Sequence, residues 1–172
     1  MSEGSGAAQL FATTGGVMEA ALRTVSALAG GPDLGRIAFE PVRGLATFKE
    51  AEVETEAFGK LRIAVVHGMR AADEVIRLVR EGRSPYHFVE VMACPGGCAG
   101  GGGQPIHDGT ELAEDRGNVL WRLDQGELLR FSHENPDVKA LYKDYLGAPL
   151  GEKSHHLLHT DHNAWQMPQK ML

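Results

Sequence analysis

The chain has 172 residues, of which 42% are hydrophobic and 23% charged, and its formal net charge is −6. This balance is typical of a globular protein and argues against intrinsic disorder and against a coiled coil. There is no run of about 18 apolar residues, so we expect no membrane-spanning helix, and the acidic charge argues against a nucleic-acid partner.

The N-terminal part of the chain predicts one helix followed by short strands. Apolar residues recur at helical spacing over 17–28, and the glycines at 30–31 end this helix. The β-prone pieces that follow predict strands near 37–42 and 51–57. The second piece alternates between apolar and polar residues, which is typical of a half-exposed strand.

A clearer unit follows in the middle of the chain. Residues 61–67 and 86–92 are apolar runs that predict strands, and residues 71–81 between them predict a helix. A strand, a helix and a strand over this length form a βαβ unit, so the two strands should be parallel. A glycine-rich segment with both cysteines comes directly after the second strand, over 94–105. Ligand sites in open α/β sheets lie beyond the carboxyl ends of the strands, which is where this segment stands.

The remaining residues predict helices. We expect them over 111–125, from the Asn135-Pro136 start to about residue 146, and over a short stretch at 151–159. The predicted fold is therefore of the α/β class: one lobe with a mostly parallel sheet flanked by helices, followed by a helical C-terminal tail.

The two cysteines, Cys94 and Cys98, are four residues apart among glycines and one proline. They are compatible with a disulfide, with two buried unreactive thiols, or with metal ligation. Metal ligation is favoured on chemical grounds, because thiolates select zinc, copper(I) or iron–sulfur clusters and because glycines let the backbone approach a cluster closely. Two cysteines do not fill a site of four thiolates, so the other ligands must be histidines or come from another chain.

Four of the eight histidines lie near the C-terminus: His155, His156, His159 and His162. The four-residue spacing of His155 and His159 places them on one helical face, where they form a possible zinc pair. The alternative is that these histidines cap a helix and pack against a partner's surface.

Several segments together carry a resemblance to a known family. The cysteine segment and its strand, residues 88–105, resemble the third cysteine signature of the iron-only ([FeFe]) hydrogenases. Residues 14–24 are similar to a family segment upstream of that signature. Three later segments also follow in the family's order, over 132–136, 141–147 and 154–160, and the last resembles the small-subunit segment that ends many of these enzymes.

The resemblance implies roles for three residues at the cysteine segment. The family's active site, the H-cluster, joins a [4Fe-4S] cubane through a cysteine sulfur to a two-iron unit that carries CO and cyanide. Cys94 matches a ligand of the cubane, and Cys98 matches the cysteine whose sulfur bridges to the two-iron unit. Met92 matches a methionine that packs against that unit, where its soft thioether forms a dry, polarizable wall.

Further cofactor-binding residues follow from the same resemblance. Phe11, Ala12 and Val17 match positions near the outer iron and its gas access, and Ala12 stands where most relatives have glycine. Gln104 belongs to the same signature as the cysteines and is assigned to the surroundings of the cofactor.

Two earlier cysteine signatures of the family, which supply the other cubane ligands and the proton-shuttle cysteine, do not occur here. No ferredoxin-type cysteine run occurs either, so the chain resembles only the C-terminal part of the catalytic domain. We expect a large-subunit lobe over 1–110 and a helical small-subunit-like segment over 111–172.

The resemblance implies an enzyme of reversible proton reduction and hydrogen oxidation. It would be active only with an N-terminal lobe or subunit, and would exchange electrons with ferredoxin or with NAD(P)-linked subunits. We expect it in the cytoplasm, because residues 1–6 lack the basic start of a signal peptide and the small-subunit segment is fused. Two alternatives stay open, namely an iron–sulfur cluster binding or assembly protein and an inert fragment.

Overall fold

The computed structural model describes residues 4–29, 31, 42–56, 58–105 and 112–160. Its α-helices are α1 (Gly6–Leu10), α2 (Gly16–Leu28), α3 (Met69–Arg80), α4 (Ala113–Gly126), α5 (Pro136–Leu141) and α6 (Glu152–Leu158). Its strands are β1 (Phe48–Thr55), β2 (Gly59–His67) and β3 (Phe88–Met92). Short 3₁₀ turns lie at Gly97–Gly100 and Ser132–Glu134, and a π turn extends α5 over Tyr142–Leu146. None of the described helices is long and apolar enough to cross a membrane.

The three strands form one mixed sheet in the order β1-β2-β3. Strands β2 and β3 are parallel, with Ile63 opposite Phe88 and His67 opposite Met92, which confirms the predicted βαβ unit. Strands β1 and β2 are antiparallel, because the short connection between them allows only a reversal of direction. The α/β class is confirmed, but the mostly parallel arrangement expected for the sheet holds only for β2 and β3. The strand expected near 37–42 lies, apart from its last residue, outside the described residues.

Strand β2 is the centre of the core, because both of its faces are covered. Ile63 and Val65 pack on one face with Met18 and Leu22 of α2. Val66 packs on the other face with α3. All three of these β2 residues are fully buried, and complete burial of one such side chain stabilises the fold by about 1.5–3 kcal/mol. Helix α2 is therefore packed on one face of the sheet whose strand β3 leads to the cysteines.

Helices α2 to α6 agree with the sequence predictions to within a few residues, whereas α1 was not predicted. Asn135 caps α5 as expected, since its side-chain oxygen accepts from the backbone N–H groups of Asp137 and Val138. The C-terminal part is helical as far as α6, and the last residues of the tail, 161–172, lie outside the described part. Helix α4 packs against α1, so the two segments expected on either side of residue 110 are in contact; the boundary itself stays a prediction.

A buried group of ionic side chains connects α2 to α4. Arg23 of α2 donates to both oxygens of Asp124 of α4, at 2.7 and 2.8 Å, and also pairs with Glu19. Arg130 adds a second contact to Asp124 at 2.9 Å, and Arg43 binds Glu19. Burial alone would raise the pKa of Asp124, but the hydrogen bonds and charges of Arg23 and Arg130 outweigh burial and lower it. The ion pairs thus fix α2 to α4.

Candidate metal centre

The cysteines lie in a loop that follows β3, residues 93–105, here called the cysteine loop. A second loop, residues 11–15 between α1 and α2, here called the α1–α2 loop, lies against it. The backbone N–H of Ala99 donates to the carbonyl oxygen of Ala12 at 2.9 Å and joins the two loops directly. Ala12, which the resemblance places near the cofactor, is therefore next to the cysteine loop.

Gly97 is the point of closest approach. Its φ is +76°, a left-handed conformation that side-chain-bearing residues rarely adopt. A Cβ atom at this position would stand 2.8 Å from Met92 Sδ and 2.9 Å from the carbonyl oxygen of Ala12. The lack of a side chain at Gly97 thus lets the thioether of Met92 and the α1–α2 loop meet beside the cysteines. Gly97 therefore lies between Met92 Sδ and the carbonyl oxygen of Ala12.

Cys94 and Cys98 are both exposed and both free thiols. The loop turns tightly between and after them, since the N–H of Gly97 donates to the Cys94 carbonyl at 3.0 Å and that of Gly101 donates to the Cys98 carbonyl at 3.1 Å. Gly101 also borders Cys94, because a Cβ there would lie 3.4 Å from Cys94 Sγ. The alternative of two buried thiols is therefore wrong for this chain, and the disulfide is not formed.

The described residues do not form a complete metal-binding site. Within the described ranges, no group of three or more cysteine, histidine, aspartate or glutamate side chains is arranged to hold a metal ion. The rings of His155 in α6 and of His159, the C-cap of that helix, stack with their centroids 4.8 Å apart. Among the described residues, no third ligand joins these two histidines. His162 lies outside the described part of the chain.

Two side chains from outside the loop hold its backbone in place. Arg116 of α4 donates to the carbonyl oxygens of Ala99 at 2.9 Å and Pro105 at 2.6 Å. Within the loop, Gln104 Nε2 donates to the carbonyl oxygen of Cys98 at 3.1 Å. Gln104 thus acts on the backbone of a cysteine, and its contact supports the shape of the loop.

His67, the last residue of β2, is the second of these anchors. Its Nδ1 accepts from the N–H of Gly96 at 3.2 Å, which leaves the proton on Nε2 to be donated to the Leu45 carbonyl at 3.1 Å. Burial lowers the pKa of His67, although the hydrogen bond to Leu45 opposes this effect. A neutral imidazole therefore connects the sheet to the cysteine loop. The sequence analysis assigned no role to it.

Glu90 of β3 is a further residue that the sequence analysis missed. Its carboxylate is buried and accepts from the backbone N–H groups of Gly15 at 2.6 Å and Met18 at 2.7 Å. Burial raises the pKa of Glu90, while these hydrogen bonds and the charge of Lys49 work in the opposite direction. One signal was available in the sequence, namely a single acidic residue within the apolar strand that leads to the cysteines.

The charge of Lys49 on β1 acts on this carboxylate and lowers its pKa. Its buried ammonium group donates to the Thr14 hydroxyl at 3.2 Å and to the Gly44 carbonyl at 2.9 Å. Burial lowers the pKa of Lys49 to about 8, although the charge of Glu90 opposes the shift. Both buried charges therefore act on the α1–α2 loop.

The other predicted residues flank these contacts. Phe11 is 49% exposed at the start of the α1–α2 loop, and Val17 is half-buried in the first turn of α2, between the two residues that Glu90 holds. A cleft of about 860 Å³ lies between this region and α4, and it borders Gly96 but neither thiol. Thiolates are soft metal ligands, and neither thiol lines this cleft.

Known proteins are similar to this chain over most of its length. Residues 1–102 match the family model of the iron-only hydrogenase large subunit, C-terminal domain, and residues 110–165 match that of the iron hydrogenase small subunit. The chain is 50% identical over 157 residues to the NADP-reducing hydrogenase subunit HndD of Solidesulfovibrio fructosivorans, covering 91% of this chain and 26% of that protein. It is 34% identical over 162 residues to the cytosolic iron-sulfur assembly component 3 of Mus musculus, covering 92% and 33% respectively.

Solved structures give the same result. The [FeFe]-hydrogenase HydA1 from Chlamydomonas reinhardtii superposes with a TM-score of 0.67 and 39% identity, covering 89% of this chain and 46% of that one. The chain thus spans between a quarter and a half of the proteins it matches. The chain belongs to the iron-only hydrogenase family and corresponds to a C-terminal part of such a hydrogenase.

Proposed function

We propose that this chain is the C-terminal half of an [FeFe] hydrogenase catalytic domain, and that it catalyses 2H⁺ + 2e⁻ ⇌ H₂ together with an N-terminal lobe or subunit. The observation that carries the proposal is the cysteine loop itself. It carries two exposed thiols four residues apart, and Gly97, next to Cys98, closely approaches the thioether of Met92 and the backbone of Ala12.

The residues present fit part of an H-cluster site. Thiolates are the ligands that iron–sulfur clusters require, and both thiols are free and exposed. Two thiolates leave a cubane incomplete, so the remaining ligands belong to the missing lobe. In this proposal Cys94 and Cys98 would hold the [4Fe-4S] cubane, and the sulfur of Cys98 would also hold the two-iron subcluster. When bound, this cofactor supplies the redox chemistry on protons and hydrogen.

The protein residues bind, orient and dehydrate the cofactor. Met92 and Ala12 present an apolar thioether and a methyl group, and Phe11 of the α1–α2 loop and Val17 of α2 extend this wall. Arg116 fixes the loop backbone from α4, so that the thiolates keep their direction. Gln104 holds the Cys98 carbonyl, which keeps the turn after that cysteine closed.

The partners follow from what this chain does not contain. We propose an N-terminal lobe or subunit that brings the remaining thiolates, and ferredoxin or NAD(P)-linked subunits as electron carriers. The relative from Solidesulfovibrio fructosivorans is a subunit of an NADP-reducing hydrogenase, which supports the NADP-linked case. We also propose a cytoplasmic location, on the grounds that the small-subunit segment is fused; recovery of the native protein in a periplasmic fraction would contradict it.

A second function is favoured by a specific observation. The relative from Mus musculus is an iron–sulfur assembly component, and its similarity extends over 92% of this chain. A protein of that kind would use the same two thiolates to hold a cluster without two-iron chemistry. The two proposals therefore differ in the ligands carried by iron, and not in the role of Cys94.

Infrared spectroscopy distinguishes the two functions. The protein is purified without oxygen from its native host together with what co-purifies, and its iron content is measured. Bands from iron-bound CO and cyanide are expected for the hydrogenase. An iron-loaded sample without these bands would favour the assembly function, and a sample without iron would favour an inert fragment.

Substitution of the cysteines tests the assignment of residues. Cys98→Ala should abolish retention of the two-iron subcluster in the assembled protein, and Cys94→Ala should lower iron content. Gly102→Ala is the matched control in the same loop, because a Cβ at Gly102 meets no atom within 4 Å. Hydrogen turnover retained by Cys98→Ala would rule out the proposed role of Cys98.

A further inference from the structure

We propose that Glu90 is a positioning residue of the cysteine site: from strand β3 its carboxylate holds the first turn of α2 and so sets the α1–α2 loop against the cysteine loop. The hydrogen bonds of Glu90 to Gly15 and Met18 do not depend on the proposed function. Its consequence for a bound cofactor rests on the proposed function.

The geometry is that of a helix cap supplied from a distant part of the chain. The first N–H groups of a helix have no partner within the helix, and Gly15 at the N-cap offers no side chain. Glu90 satisfies two of them, since one carboxylate oxygen accepts from Gly15 and the other from Met18. A negative charge at this end of α2 also interacts favourably with the helix dipole.

The same strand leads to the cysteines. Glu90 lies two residues before Met92 and four before Cys94, and β3 is held in register by its parallel pairing with β2. The α1–α2 loop is therefore fixed at three points, by Glu90 at its α2 end, by Lys49 at Thr14 and by the Ala99 N–H at Ala12. Of the first two, only Glu90 belongs to the strand that leads to the cysteines, so its loss removes the direct connection between β3 and this loop.

The charge of Glu90 is balanced inside the protein. Glu90 is 8% exposed, and Lys49, which is 4% exposed, donates to Thr14 of the same loop. A glutamine at position 90 would keep the volume but lose the charge, and would turn an NH₂ group toward one of the two N–H donors. A glutamate-to-glutamine exchange therefore tests the carboxylate and not the packing.

The first test needs no metal. Backbone hydrogen exchange is measured by NMR in the iron-free full chain for the wild type, Glu90→Gln and Glu90→Asp. The exposed Glu54→Gln on β1 serves as a matched control. In Glu90→Gln we expect the amides of Gly15 and Met18 to exchange about 10- to 100-fold faster, the change that loss of a charged hydrogen bond gives. Unchanged exchange at these two amides in a folded Glu90→Gln would overturn the proposal.

The second test separates positioning from simple stabilisation. In the protein assembled with its N-terminal partner, Glu90→Gln should retain the iron content of the wild type. Its iron-bound CO bands should shift or broaden, while those of Glu54→Gln should not. Faster exchange with unchanged CO bands would show that Glu90 acts on stability alone and would overturn the positioning role.

Two further outcomes are decided by the same experiments. If Glu90→Gln does not fold, Glu90→Asp is used, which keeps the charge but is one methylene shorter. It should accelerate exchange at one of the two amides, and wild-type rates at both would contradict the proposal. If the wild type itself shows no CO bands, the proposed function fails, while the exchange rates still decide whether Glu90 holds α2.

Discussion

The backbone N–H of Ala99 donates a hydrogen bond to the carbonyl oxygen of Ala12 at 2.9 Å, and this bond makes the cysteine loop and the α1–α2 loop one unit. The bond depends on the absence of a side chain at Gly97, where any Cβ would be within 3 Å of both Ala12 and Met92. The arrangement beside the thiols is therefore set by backbone contacts. Substitutions at these contacts should have larger effects than substitutions at the exposed surface.

Gly97→Ala should destabilise the chain strongly. A side chain at a positive φ costs about 1–2 kcal/mol, and the close contacts with Met92 and Ala12 add to this cost. We expect a total loss of about 2–4 kcal/mol in the free energy of unfolding, measured by urea denaturation of the iron-free chain.

Gly103→Ala is the control for this substitution. Gly103 has a φ of +93°, but a Cβ there meets no atom within 4 Å, so only the backbone strain remains. Its loss should be about 1–2 kcal/mol. Equal losses at Gly97 and Gly103 would show that the contact with Met92 is not tight.

Asp124→Asn should weaken the attachment of α4 to α2. Asp124 is 1% exposed and pairs with Arg23 and Arg130, and removal of one partner of a buried ion pair costs about 3 kcal/mol. The exposed Glu52→Gln, which removes a surface pair with Lys60, should leave the unfolding midpoint unchanged.

The same pair predicts an acid-dependent loss of stability. The pKa of Asp124 is lower in the folded chain, so its contribution is complete above the ordinary aspartate pKa and is lost as the pH falls through the folded value. The difference in the free energy of unfolding between the wild type and Asp124→Asn should therefore become smaller as the pH falls below about 4. A pH-independent difference would contradict this origin.

Lys49 should make the iron-free chain more stable in mildly alkaline solution. Its pKa is about 8 in the folded chain and 10.5 for the ordinary side chain, so between these values the unfolded state binds more protons. The free energy of unfolding contributed by this group must then rise with pH. The difference in stability between the wild type and Lys49→Met should increase from pH 8 to pH 10.

Lys60→Met provides the comparison. Lys60 is exposed, and its hydrogen bond with Glu52 raises its pKa, which gives no increase over this range. The same pH dependence in both variants would assign the effect to another group.

Arg116→Met should loosen the cysteine loop without unfolding the chain. Arg116 holds two carbonyl oxygens of the loop, and without it the amides of Gly101 and Gln104 should exchange about 10-fold faster. Arg122→Met is the control, because Arg122 is exposed on the same helix. Similar rates in the two variants would contradict the anchoring role of Arg116.

The elements that the sequence predicts well are those specified by local patterns. The apolar runs of β2 and β3, the helix between them and the glycines around the cysteines all lie within one continuous segment, and the structure agrees with them. The antiparallel pairing of β1 was available from the same information, since a three-residue connection between predicted strands at 51–57 and 61–67 permits only a hairpin.

The contacts that complete the site were not predictable in this way. Glu90 reaches Gly15 and Met18 across more than 70 residues of sequence, and His67 reaches Gly96 across 29. On a half-exposed strand an acidic residue is expected to face solvent, and only the packing of α2 on the sheet shows that Glu90 faces inward. Such contacts depend on the tertiary fold and leave no periodic signal.

Strand β3 pairs with β2 on one side only, within the part of the chain described, and Phe88 and Val91 on it are 43% and 49% exposed. A strand with an open edge is a template to which another strand adds, in the same chain or in a neighbouring molecule. Production of this chain by itself should therefore favour self-association through strand addition, next to two exposed thiols. A partner that covers this edge while the sheet is forming would compete with that route, so the timing of assembly should decide the yield of usable protein.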